Sequence, residues 1–158
     1  LLLLNGCAGY KLGPSNGQIA GARSASVNPF LNKTIEPRVG DAITQATRKA
    51  IQRDGTYRLE TGADGDVIVS GEVVRFERLG ATYMPGDVMT ILDYQLLVTV
   101  HVVARERGSS KTLFDRNVSA NNLVRVQSNV PNAEQQALPV IAADLGRSIT
   151  SLLADGAW

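Results

Sequence analysis

Hydrophobic residues recur at every second position through Ile91–Arg107 (ILDYQLLVTVHVVARER). Tyr94, Leu96, Val98, Val100, Val102 and Ala104 fall on one face. Gln95, Thr99, His101 and Arg105 fall on the other, with Leu97 and Val103 among them. Such an alternation, rich in β-branched residues and free of Gly and Pro, predicts a long half-buried antiparallel strand. Asp66–Leu79 (DVIVSGEVVRFERL) alternates likewise, with Val67, Val69, Gly71 and Val73 on one face and Ile68, Ser70, Glu72, Val74 and Phe76 on the other. Gly71 in mid-strand marks a bulge or a close crossing. Gln18–Val27 reads as a first strand, stopped by Asn28-Pro29 because proline has no N–H for the ladder. Lys111–Val126 reads as a fourth strand that breaks up near Asn121-Asn122. Between these lie a loop at Phe30–Glu36, an extended start at Tyr57–Glu60, a turn cluster at Thr61–Asp66, a hairpin-like loop at Gly80–Thr90 and the turn Gly108-Ser109-Ser110.

Two segments switch to helical spacing. After Pro37, suited to a first turn, Val39, Ala42, Ile43, Ala46, Ala50 and Ile51 mark one face, and Asp54-Gly55 supplies the stop. Following a linker at Ser128–Pro131, Asn132 can cap a second helix with Glu134 and Gln135 in its first turn. Its apolar stripe is Leu138, Ile141, Ala142, Leu145, Ile149, Leu152 and Leu153. Pro139 either kinks this helix or starts its main segment, and costs about 3 kcal/mol if interior. Gly146 lets the helix approach a neighbour closely. The order β-α-β-β-β-α predicts an α+β two-layer sandwich, with two helices packed on one face of a four-stranded mixed sheet, over a single domain at 18–158.

Composition narrows the function. The 158 residues carry 44% hydrophobic and 20% charged side chains, so the chain folds into a real core. A net charge of +1 argues against nucleic-acid binding by bulk electrostatics, and 5% aromatic residues argue against stacking platforms for single strands. Cys7 is the one cysteine, which excludes an internal disulfide.

That cysteine sits in LLLLNGCAGY. Leu at minus three, Gly at minus one and then Cys resembles a bacterial lipobox, with residues 1–6 the remnant of a signal peptide. Asn5 at minus two lies outside the commonest choices. Cleavage before Cys7 leaves a residue that carries a diacylglyceryl group and an acylated amine. At about 0.8 kcal/mol per buried methylene, two or more acyl chains hold a protein stably at a membrane. The alternative is a buried free thiol near a frayed terminus. Residues 7–17, rich in Gly with Pro14, Ser15 and Asn16, read as lipidated Cys and flexible tether. Ala8 in place of Asp points, by the sorting rule of Gram-negative lipoproteins, to the periplasmic face of the outer membrane. No later segment reads as apolar enough to span a bilayer.

Catalytic patterns are hard to find. His101 is the one histidine, with no nucleophile-elbow pattern. A zinc site needs more His or Cys, Asp64-Gly65-Asp66 lacks the other ligands of a calcium loop, and Glu72 and Glu77 fall on opposite strand faces. No phosphate loop is present. The reading is of a non-enzyme with no metal and no cofactor. Basic residues are of more interest: Arg75 and Arg78 close the second strand, Arg105, Arg107 and Lys111 flank the next turn, and Arg116 follows. Guanidinium groups pair bidentately with phosphate, so such a cluster can hold an anionic glycolipid headgroup. The same residues also read as solvated strand ends among Asp87, Glu106 and Asp115, which is the commoner arrangement.

CAGYKLGP, VNPFLNKTIEPRVGDAITQATRKAIQRDGTYRLE, GDVIVSGEVVRFER and the closing TSLLADGAW together resemble the lipopolysaccharide-assembly lipoprotein family, LptE. That resemblance implies a lipid-anchored protein that plugs and helps assemble a large outer-membrane β-barrel partner, LptD, and that contacts lipopolysaccharide itself through basic residues near strand ends. Those positions do not align one by one, so Arg75, Arg78, Arg105, Arg107, Lys111 and Arg116 rest on the chemistry above. The alternative is another periplasmic lipoprotein, serving as auxiliary subunit of a lipid transporter or secretion pore.

Overall fold

A computed structural model describes residues 19–125 and 130–156. Cys7, the tether and Ser128 lie outside the described residues. The elements run β1 (Arg23–Val27), β2 (Leu31–Asn32), α1 (Val39–Asp54), β3 (Tyr57–Glu60), β4 (Val67–Met84), β5 (Asp87–Glu106), β6 (Thr112–Arg125) and α2 (Val130–Asp155). They form an α+β fold with a mixed sheet ordered β3-β1-β4-β5-β6, in which β2 pairs with β4 just beyond β1. β1 is parallel to β3 and β4, and β2 to β4, while β4-β5-β6 is an antiparallel meander.

The expected four strands are therefore six among the described residues. Two short pieces account for the difference. After the Asn28-Pro29 interruption, the predicted loop at Phe30–Glu36 returns to the sheet as β2. Tyr57–Glu60 is a complete edge strand beside β1. The first strand begins at Arg23, because a turn closed by Ala22 N–H to the Ile19 carbonyl, with Gly21 at φ +70°, precedes it. The predicted loop Gly80–Thr90 is mostly strand, with Pro85-Gly86 alone turning the chain and Gly86 at φ +83°. β6 does not break at Asn121-Asn122, since both pair in register with Leu97 and Leu96.

The alternation in β5 is realised as read. Leu96, Val98, Val100, Val102 and Ala104 are fully buried under the helices, with Tyr94 nearly so. In β4 the reading holds only to Val73. A register shift between Val73 and Arg75 inserts a bulge at Val74, and the side chains from there to Gly80 move to the opposite face. Phe76 thus joins the core, opposite Val98, and Arg78 lies on the helix-covered face opposite Leu96. The same bulge puts Glu72 and Glu77 on one face, the open one, opposite His101 and Leu97. Gly71 is not the bulge. It makes room for the Phe30 ring, which a Cβ there would meet at 2.6 Å.

α1 starts at Val39, with Arg38 in the left-handed region at φ 66°, so Pro37 lies in the turn before it. Of the expected face, Val39, Ile43 and Ile51 are buried and Ala42 and Ala46 pack against the core partly buried, while Gly40, Thr44 and Thr47 join the buried stripe. Two threonines can turn inward because their hydroxyls donate to the carbonyls four residues back, Thr44 to Gly40 at 2.7 Å and Thr47 to Ile43 at 2.8 Å. Thr44 also accepts the Phe30 N–H at 2.9 Å. α2 begins at Val130, so Pro131 and Asn132 belong to its first turn rather than to a linker and a cap. Pro139 is exposed within it and does not end it. Ile141, Leu145, Ile149 and Leu153 are fully buried, as the stripe requires. Gly146 sits against α1, where a Cβ would lie 2.8 Å from the Ala46 backbone. By length and composition Ala133–Asp155 is apolar enough to cross a membrane, contrary to the expectation for later segments. Alanine and leucine produce that composition, and the helix spends it on the sheet and on α1.

Candidate functional site

The six basic candidates do not form one cluster. Arg75 is on the open face and pairs with Glu77 at 3.4 Å. Arg78 is on the helix-covered face, where Nε and Nη2 donate to the Glu134 carboxylate at 2.5 and 2.8 Å. Its Nη2 also reaches Glu36 at 3.4 Å, and the guanidinium lies 5.2 Å from the centroid of Phe76. The Tyr94 hydroxyl donates to Glu134 Oε1, the oxygen that accepts from Arg78 Nε. The hydrogen bonds from Arg78 hold Glu134 below the usual carboxylate range, and Arg78 is in turn held more firmly protonated by Glu134. Burial, then the bond to Glu134, pushes the Tyr94 phenol up to about 12. This knot fastens the first turns of α2 to β4 and β5, and leaves Arg78 little capacity for a ligand. Arg116 is opposite Val102, at the flank of α2 beside Arg147 and Ser151.

Arg105, Arg107 and Lys111 do come together, at the end where β5 passes into β6. The turn is built firmly. Glu106 N–H donates to the Lys111 carbonyl at 2.8 Å, and Arg107 N–H to the Asp66 carbonyl at 2.9 Å. The Glu106 carboxylate accepts from Ser109 Oγ and from Arg23, each at 2.5 Å, which lowers its pKa, the serine contributing most. Asp66 is braced across β1: its Oδ2 accepts Ser24 N–H at 2.7 Å and Ser24 Oγ at 2.9 Å, and these bonds lower its pKa. Asp64 pairs with Arg107 at 3.1 Å. Asp64 and Asp66 therefore serve as braces for this end of the sheet.

On the open face this end forms a depression of about 430 Å³ lined by Ile68, Ser70, Val103, Arg105, Glu106, Arg107 and Ser110, with the Glu106 carboxylate already taken up by Ser109 and Arg23. Ile68 and Val103 supply apolar surface, two guanidinium groups supply charge, and two hydroxyls supply further donors. Arg105 has no ion pair among the described residues. The combination suits an amphiphile that carries phosphate or carboxylate next to hydrocarbon. Sequence reasoning found the arginines and missed Ile68, Ser70 and Ser110 as their neighbours. Val103 was a legible signal, as an apolar residue out of place on a polar face.

The remaining candidates for chemistry are engaged structurally. His101 Nε2 is 2.6 Å from Asp115 on the exposed open face. Glu72 pairs with Lys33 at 2.6 Å and Glu77 with Arg75. Although the bulge brings these glutamates to one face, four strand positions of about 3.3 Å separate them, too far for concerted acid–base work. A larger groove of about 730 Å³ runs between α1 and α2, lined by Ala42, Ala46, Ala142 and Ala143 with Lys49 and Arg53 at its rim. Its small residues belong to the close helix crossing at Gly146.

Residues 22–153 match the family model LptE, described as lipopolysaccharide-assembly. No curated protein matches in sequence. Among solved structures, protein XCC0632 from Xanthomonas campestris superposes with a TM-score of 0.69 at 10% identity, over 91% of this chain and 90% of that one. A minor lipoprotein from Acinetobacter baumannii gives 0.57 at 15% identity, over 84% and 92%. Lipoprotein B from Nitrosomonas europaea gives 0.53 at 10% identity, over 94% and 95%. At these identities the likeness is one of fold.

Proposed function

The chain belongs to the LptE lipopolysaccharide-assembly family, and on that premise we propose that it is an outer-membrane lipoprotein that binds, plugs and helps assemble a β-barrel lipopolysaccharide translocon of the LptD type. The observation that carries the reading is the family match over most of the chain, on a sandwich whose helix-covered face is buried and whose other face is polar and open. Such a body can be held inside or against a larger protein by surface fit. Cys7 carries the lipid, and residues 8–17 give the fold reach from the periplasmic leaflet. The depression beside Arg105 and Arg107 receives a phosphorylated part of lipopolysaccharide, its apolar surface taking adjoining hydrocarbon. The work is binding and scaffolding, without bond chemistry. Depletion of the protein is expected to stall lipopolysaccharide export, so that surface lipopolysaccharide falls and the precursor accumulates inside the cell. Normal surface lipopolysaccharide after depletion contradicts the reading.

A further inference from the structure

We propose that the free edge of β4 beyond Val73 is a strand-addition site for an extended loop or tail of the barrel partner, with the tip of the β4–β5 ribbon packing beside it. The inference rests on the reading above for the partner's identity, and on the sheet for its location. β2 pairs with β4 at Glu72 and Val73, and no strand among the described residues pairs with that side of β4 further along. Which backbone groups face outward follows from the register. The carbonyls of Val69 and Val73 accept the N–H groups of Asn28 and Lys33 at 2.9 and 3.0 Å, so up to this point the odd-numbered residues direct their amides away from β5. The bulge at Val74 shifts the phase by one. Phe76, Arg78 and Gly80, opposite Val98, Leu96 and Tyr94, then take the outward role. Their N–H and C=O groups recur every two residues, roughly 7 Å apart, the spacing an added strand needs.

The ribbon beyond carries little of the charge that normally keeps edges apart. From Leu79 to Leu92 the one charged side chain is Asp87. Among the described residues β6 pairs with β5 as far as Asp93. Leu79, Tyr83, Met84, Met89 and Ile91 are exposed there, Met89 by 89%. By contrast, the edge strand β3 is four residues long with Arg58 and Glu60, and β6 carries Asp115, Arg116 and Arg125.

An apolar ribbon could also meet lipid, but two features oppose that occupant. Asp87 at the tip accepts Thr90 Oγ1 at 2.6 Å and Met89 N–H at 2.9 Å, which keeps its carboxylate ionised. The unpaired edge amides would also lose water without gaining partners in hydrocarbon. A protein strand satisfies both the amides and the apolar side chains. It must come from a loop or tail, because the wall of a closed barrel has no free edge.

The test uses the full lipidated chain with the barrel that co-purifies from membranes. Residue-resolved amide exchange should slow by about tenfold or more at Phe76, Arg78 and Gly80 on complex formation, and stay unchanged at Glu77 and Leu79, which already face β5. Leu79→Lys with Met84→Lys should lower barrel recovery about tenfold at an unaltered melting temperature. A barrel that co-purifies while the three amides exchange as in the free protein overturns strand addition and leaves the functional reading standing. Crosslinks through Met84 to a second copy of this chain, in place of the barrel, overturn it equally. Recovery of no barrel at all by the wild-type chain overturns both.

Discussion

Arg105 and Arg107 differ in what each has left to offer a ligand. Arg107 is partly committed to Asp64, donating to its carbonyl at 2.9 Å and pairing with its carboxylate. Arg105 stands beside Ile68 and Val103 without an ion pair among the described residues. Reversing both charges, Arg105→Glu with Arg107→Glu, is expected to weaken binding of purified lipopolysaccharide about tenfold or more, with most of the loss from Arg105 alone. Unchanged affinity in a titration removes both from the binding site. The Tyr94–Glu134–Arg78 knot makes a different statement, about stability. Tyr94 is raised in the folded chain from its ordinary 10.0 to about 12. The folded state therefore keeps its phenolic proton where the unfolded chain has lost it. That contribution is complete below about 10 and disappears as pH rises towards about 12. Tyr94→Phe is expected to flatten this alkaline loss, read as the urea midpoint against pH. Glu134, Asp66 and Glu106 act at the acid side: their lowered pKa values favour folding above the ordinary carboxylate range, and that support is lost as pH falls through their folded values.

At the scale of elements, the closest approach is α1 against α2 at Gly146. Any side chain there meets the Ala46 backbone, which cannot move aside as a flexible side chain can. Gly146→Val is expected to destabilise by about 1–3 kcal/mol in a denaturant titration, with Ser148→Val, on the exposed side of the same helix, close to neutral. Strong periodicity made β5 and α2 readable: one alternates without interruption, and the other keeps seven apolar residues on one stripe. What escaped was local. Nothing in GEVVRFER distinguishes a continuous strand from one with an extra residue at Val74, because valine suits either face. Yet that one residue decides where Phe76, Arg78 and Glu77 point. β2 is two residues long, too short for any period to register. On α1, Val39, Ile43 and Ile51 were legible as core, and Thr44 and Thr47 were not, because threonine counts as polar until its hydroxyl is seen bonded to its own helix. The hairpin ends were hidden for another reason: Gly80, Pro85 and Gly86 are all turn residues, and only the last two turn the chain. For the site, the arginines at the β5–β6 turn were legible as charge. Their apolar neighbours were not, because Ile68 is brought next to Arg105 by register across two strands.

For the whole molecule, one layer of helices seals one side of the sheet, and the proposed contacts fall on the other side, the turn end and the projecting ribbon. The turn end carries Arg105, Arg107 and Lys111, and the opposite end carries the apolar tip, with the length of β4 between them. A body with charge at one end and apolar, edge-bearing strands at the other is suited to lie lengthwise between a lipid substrate and a protein host. That the host is a barrel is the central claim, and it is tested most directly by purifying the lipidated protein from membranes in mild detergent and measuring the mass and stoichiometry of what remains bound. One large outer-membrane β-barrel in an equimolar complex is the expected result. A chain recovered alone, or with an inner-membrane transporter and no barrel, contradicts the account.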